Sequence, residues 1–151
     1  MKKIVVGWRE YIHLPELFSG RIKCKVDTGA ASSSLHAKII GEIDQELEDG
    51  TTQSFIRFGL DFVEPVTGKA AVERTAPLLE YRKVRSSNGI ISRRPVIIVN
   101  ALMHGVRWPI EVTLADREKM GFPMLLGREA LRGRFLVDPQ RSYWLKKQNK
   151  A

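Results

Sequence analysis

The chain has one cysteine, Cys24, so it can form neither an intramolecular disulfide nor a multi-cysteine zinc site. A reducing compartment fits that usage. Long apolar runs are missing too: the longest candidates are short stretches such as Pro95 to Val99, far below the roughly 20 residues that span a bilayer. The apolar stretch Ile4 to Trp8 meets Arg9 and Glu10 before it reaches the length of a secretion signal. A soluble, cytoplasmic protein with no membrane partner is therefore expected. His13, His36 and His104 are scattered, with no His-Glu-x-x-His or Cys-x-x-Cys spacing and no Gly-x-x-x-x-Gly-Lys-Ser/Thr loop. The pattern thus names no metal, nucleotide or other cofactor. Acidic residues are the scarcer charge, 17 against 25 Lys plus Arg, which leaves a formal net charge of +8. A negatively charged partner follows from that balance, although its chemistry does not.

What is present is ordinary globular material, 151 residues with 43% hydrophobic and 28% charged, enough for one core and little more. A single domain over 1–151 is expected. Apolar residues recur mostly at intervals of two, the strand period. In Arg21 to Asp27 the side chains of Ile22, Cys24 and Val26 would share the buried face; in Trp108 to Leu114 those of Ile110, Val112 and Leu114 would do so. Gln53 to Phe62 and Arg134 to Asp138 read as further strands, and Met124-Leu125-Leu126 as a strand covered on both faces. Helix signals are few: Lys38 to Leu47 and Gly127 to Leu131 could each hold a turn or two. The class is mostly β.

The segment Val26-Asp27-Thr28-Gly29-Ala30 sets a carboxylate at a tight turn where glycine permits close backbone approach and the threonine hydroxyl can hold the turn. A hundred residues on stands Pro123-Met124-Leu125-Leu126-Gly127-Arg128-Glu129-Ala130-Leu131. The two motifs in this order resemble the catalytic loop of retropepsin-type aspartic peptidases and the apolar strand, Gly-Arg turn and short helix packed behind it. More narrowly, the full chain is similar to a bacterial family named as ATP-dependent zinc proteases, often encoded near an ATP-grasp glutamate ligase that modifies a ribosomal protein. The shared segments include Val6 to Glu10, Leu14 to Leu17, Lys25 to Ala30, Ser33 to Ala37, Val84 to Ser87, Arg93 to Val96 and Leu114 to Leu131.

The resemblance implies a closed acid-protease barrel with one or two short helices, in which Gly127 and Arg128 support the loop of Asp27, Thr28 and Gly29. It implies an aspartic endopeptidase, a hydrolase in which two carboxylates share one proton so that one activates water. Since Asp-Thr-Gly occurs once, the second carboxylate would come from a C2 homodimer, with Arg134 to Leu145 a candidate for the dimer sheet. Viral retropepsins follow this loop with an Asp that pairs with the Arg of the Gly-Arg turn. Here Ala31 stands in its place, so Arg128 must find another partner.

Arg82 to Arg94 reads as a β-hairpin with an Asn88-Gly89 turn and, by chain order, as the flap over the cleft. It carries five basic residues and no acidic one, so Ala30, Arg85, Ser86, Ser87, Arg93 and Arg94 are the candidate substrate-binding residues. The expected partner is an acidic peptide or glutamate-rich protein tail, such as that of a ribosomal protein. Two readings compete. A zinc-dependent peptidase could assemble a site in space from His13, His36 and a carboxylate, as the family name suggests. A non-catalytic basic β-domain could bind a ribosomal component; nucleic acid is disfavoured because Tyr81 is the one aromatic near the basic hairpin.

Overall fold

The structure, a computed structural model, describes residues 2–62, 72–85, 88–116 and 121–144. Among the described residues twelve strands and one short helix follow one another: β1 (Ile4–Gly7), β2 (Arg9–Ile12), β3 (Ile22–Asp27), β4 (Ser33–His36), β5 (Lys38–Glu46), β6 (Thr52–Leu60), β7 (Val72–Pro77), β8 (Glu80–Arg85), β9 (Ile91–Met103), β10 (Val106–Ala115), β11 (Met124–Gly127), α1 (Arg128–Leu131) and β12 (Phe135–Asp138). Ser86 and Ser87 lie outside the described residues.

The period-two reading holds where it was strongest. Along β3, Ile22, Cys24 and Val26 are buried and the lysines between them exposed. Along β10, Trp108, Ile110, Val112 and Leu114 face the core. Met124 and Leu126 of β11 are fully buried because β11 runs inside the main sheet, parallel to β3 on one side and antiparallel to β4 on the other. The helix expected at Gly127 to Leu131 is α1.

The closed barrel is corrected. The strands form three sheets: seven strands in the order β2-β3-β11-β4-β10-β9-β8, three in the order β5-β6-β7, and the parallel pair β1-β12. Lys38 to Leu47 is corrected as well: it is the long strand β5, not helical turns. Three β-branched isoleucines and Gly41 disfavour helix there, and a bulge between Ile39 and Gly41 absorbs the irregular apolar spacing. The C-terminal strand is shorter than Arg134 to Leu145, ending at Asp138 before Pro139, where the Gln140 N–H and Arg141 turn back onto the Asp138 carboxylate and hold its pKa below the usual value. Its partner is β1 of the same chain, Ile4 opposite Phe135 through Gly7 opposite Asp138.

One buried carboxylate ties this terminal pair to the main sheet. Glu10 alternates with Ile12 on the core-facing side of β2 and is fully buried. Its Oε2 accepts from the Gly7 N–H at 2.6 Å and the Trp144 N–H at 3.1 Å. Around it, Arg9 donates to Ser142 Oγ and lies over the rings of Trp8 and Tyr143, while Tyr11 stacks on Tyr143. A polar residue at a core-facing strand position is the signal from which this clasp could have been read. Glu10→Leu should destabilise the fold by about 1–3 kcal/mol for each backbone donor left without a partner, measured by urea unfolding. An unfolding midpoint equal to wild type would show that the clasp carries no stability.

Candidate loop and cationic hairpin

Asp27 closes β3, and the chain turns at once. Its Oδ1 accepts from the Gly29 N–H at 2.9 Å, and the Ala30 N–H donates to the Asp27 carbonyl at 3.3 Å, so the carboxylate fixes its own loop as an Asx turn. Thr28 is exposed and its hydroxyl has no partner among the described residues; the expectation that it holds the turn is corrected, since the Asp27 side chain does so.

The second motif sits where the sequence places it. Gly127 is the register partner of Asp27 on the parallel β3–β11 ladder. A Cβ at Gly127 would lie 2.6 Å from the Ser32 carbonyl oxygen and 2.8 Å from that of Ala31, an approach open to glycine alone. The Gly127 N–H donates to Ser33 Oγ at 3.0 Å, the Arg128 N–H to the Ala30 carbonyl at 2.8 Å, and the Glu129 N–H to the Ala31 carbonyl at 3.2 Å. Arg128 finds its partner in the Gly29 carbonyl, 3.3 Å from Nη1. A backbone acceptor thus takes the role that Ala31 cannot.

The hairpin forms, and in its register Arg82 faces Arg94, Lys83 faces Arg93 and Arg85 faces Ile91. Gly89 has φ of 84°, and Asn88 Oδ1 accepts the Ile90 N–H. Like charges opposite one another are destabilising, and the structure relieves both pairs. Arg82 is drawn to Glu80 and to Glu111, the latter at 3.5 Å, and the Glu80 hydrogen bond raises its pKa. Arg94 donates to Ser92 Oγ, and burial lowers its pKa. Arg93 lies 3.8 Å from the Tyr81 ring centroid, while the Tyr81 hydroxyl donates to Glu42, a bond that raises the phenol's pKa. The sequence expectation of five uncompensated cations is therefore corrected. Lys83 and Arg85 are the hairpin's exposed cations without an ion-pair, hydrogen-bond or ring partner among the described residues.

Nor is the hairpin next to the Asp27 loop within the sheet, because β11, β4, β10 and β9 stand between β3 and β8, and β8 is an edge strand. His13 is exposed. His36 is buried, with Nε2 3.1 Å from Asp61 and Nδ1 3.5 Å from Asp116. Among the described residues no group of three or more His, Cys, Asp and Glu side chains is placed to hold a metal ion. Among the described residues no helix is long and apolar enough to cross a membrane.

The model of the family described as "Retropepsin-like aspartic endopeptidase RimB" matches residues 5–148. The chain belongs to this RimB-like family. The family's description thus names a retropepsin-like aspartic endopeptidase and not a zinc protease. A crystal structure of a Legionella pneumophila protein of unknown function superposes with a TM-score of 0.69 at 26% identity, covering 95% of this chain and 99% of that one. Among curated relatives, the "Probable alpha-L-glutamate ligase" of Parasynechococcus marenigrum is 42% identical over 146 residues, 95% of this chain and 30% of the relative. The protein of the same name from Shewanella halifaxensis is 36% identical over 147 residues, 97% of this chain and 31% of the relative. The chain spans about 30% of the length of these relatives.

These names overturn the expected activity. The relatives are named as ligases and not as hydrolases or proteases, so the reading of Asp27 as the water-activating group of an aspartic endopeptidase is not carried forward, nor is that of a zinc peptidase. What the geometry does establish is a loop locked by its neighbour. Gly127→Ala should cost about 1–3 kcal/mol, because the new methyl meets backbone carbonyls that cannot swing aside, and thermal unfolding would check it. Unchanged stability would mean that the 30–33 loop yields freely.

Proposed function

We propose that this RimB-like chain is a recognition domain for an acidic, glutamate-rich protein tail, acting in the cytoplasm alongside glutamate ligation. The observation that carries the reading is the pair of exposed, unpartnered cations Lys83 and Arg85 on one face of an edge strand. An edge strand offers a row of free backbone donors and acceptors to an extended segment, and cations at alternate positions select a carboxylate-bearing one. Arg93, held over Tyr81 on the same face, extends the positive strip. The net charge of +8 adds long-range attraction. The names of the relatives supply the chemistry of the tail, since a glutamate ligase is a source of glutamate-rich product. A ribosomal protein is the proposed bearer of that tail.

Each charge-assisted contact to a carboxylate contributes about 0.2–1 kcal/mol when exposed and screened. Lys83→Glu/Arg85→Glu should therefore weaken an oligoglutamate peptide by about ten-fold or more at low salt, because two attractions become two repulsions, with little effect on a neutral peptide of the same length. Asp27→Asn keeps the loop's acceptor oxygen and should leave tail binding undiminished. Titration calorimetry across a salt series reads both. Equal loss for both peptides, or no salt dependence, would sink the proposal.

A second copy of the chain is a further proposed partner. The parallel pair β1-β12 exposes Val5 and Leu136, which are 37% and 52% accessible and directly opposite in the register. Two-stranded sheets are marginal alone, and parallel strands are rarely left facing water. Leu136→Lys should shift the sedimentation of the wild-type dimer toward monomer. A wild-type chain that sediments as a monomer at every concentration would contradict this.

A further inference from the structure

A cavity of about 180 Å³ is lined by β10, by α1 and by Arg82, which lies on the face of β8 opposite Lys83. Its floor is apolar: Trp108 and Ile110 line it and are 3% and 4% exposed, and the Trp108 indole N–H is fixed on the Ala130 carbonyl at 3.0 Å. Its walls carry two cations, Arg82 and Arg134, and two carboxylates, Glu111 and Glu129. Arg82 and Glu111 already face each other at 3.5 Å. Glu129 and Arg134 are exposed, and their side chains have no hydrogen-bond or ion-pair partner among the described residues, so one carboxylate and one guanidinium line the same opening without a protein partner.

We infer that this cavity binds a free α-amino acid in its zwitterionic form. A phosphate or dicarboxylate would meet two carboxylates, and a metal ion would meet two guanidinium groups. A ligand with one charge of each sign and no net charge satisfies both free groups. The planar fork of Arg134 suits an α-carboxylate, the Glu129 carboxylate accepts from the α-ammonium, and a short side chain rests on Trp108 and Ile110. A volume of about 180 Å³ leaves room for a single residue rather than a peptide. With so few ligand atoms and both charges near solvent, a roughly millimolar dissociation constant is expected. This goes beyond the tail-binding reading and uses none of its residues.

The probe is L-alanine titrated into the nitrogen-15-labelled chain. Saturable shifts are expected at the Trp108 indole N–H and the amides of Glu129 and Ala130. L-lactate, which replaces the ammonium by a hydroxyl, should bind about ten-fold more weakly, and so should L-alanine to Glu129→Gln or to Arg134→Gln. Both substitutions are at exposed positions, and the free-state Trp108 indole signal reports whether each variant is folded. Lys83→Glu/Arg85→Glu should bind L-alanine as wild type does, which separates this site from tail recognition. Absence of saturable shifts, equal affinity for L-lactate, or wild-type affinity in both rim variants would overturn the inference.

Discussion

The structure turns on the contact between Gly127 and the backbone of Ala31 and Ser32. Because residue 127 has no Cβ, β11 can enter between β3 and β4 and bring two segments a hundred residues apart into one ladder, with Gly127 beside Asp27. Three N–H groups in a row, from Gly127, Arg128 and Glu129, then find acceptors on Ser33, Ala30 and Ala31. The Asp27 loop is therefore satisfied from outside by the Gly-Arg turn and from inside by its own carboxylate. Buried backbone groups left unpaired would each cost about 1–3 kcal/mol, so the loop and the turn stand or fall together. The seven-stranded sheet on both sides depends on that insertion.

Much of this was legible because strands buried on one face advertise their register. Ile22, Cys24 and Val26, or Ile110, Val112 and Leu114, alternate without a break, and the structure buries each of them. Asn88-Gly89 gave the hairpin turn for a local reason, the ease with which glycine takes positive φ. Where sequence reading failed, the missing information was non-local. The isoleucines of β5 sit on an exposed three-stranded sheet, so burial could not phase them, and their uneven spacing imitated a helix. Sheet closure is a property of strand order, which periodicity does not encode. The hairpin's cations looked alike in sequence, yet Glu80, Glu111, Ser92 and Tyr81 divide them into held and free.

That division carries the functional argument. Family membership fixes the fold, and the curated relatives carry the name of a ligase and not of a protease. The proposed role, holding an acidic tail, rests on the basic edge strand and on the chain's match to about 30% of a ligase-named relative. The separate cavity beside α1 carries two cations and two carboxylates, the balance on which the zwitterion proposal rests. Two surfaces of different charge character result, the Lys83, Arg85 and Arg93 strip of β8 and β9 and the mixed opening lined by Arg82, Glu111, Glu129 and Arg134.

The most direct measurement is a map of where an oligoglutamate peptide touches the chain, obtained from backbone amide shifts during titration at low salt. Shifts centred on 80–85 and 91–94, abolished by added salt and by reversing Lys83 and Arg85, are the expected result. Shifts confined to other strands, or none at peptide concentrations that saturate a polylysine control, would contradict the account.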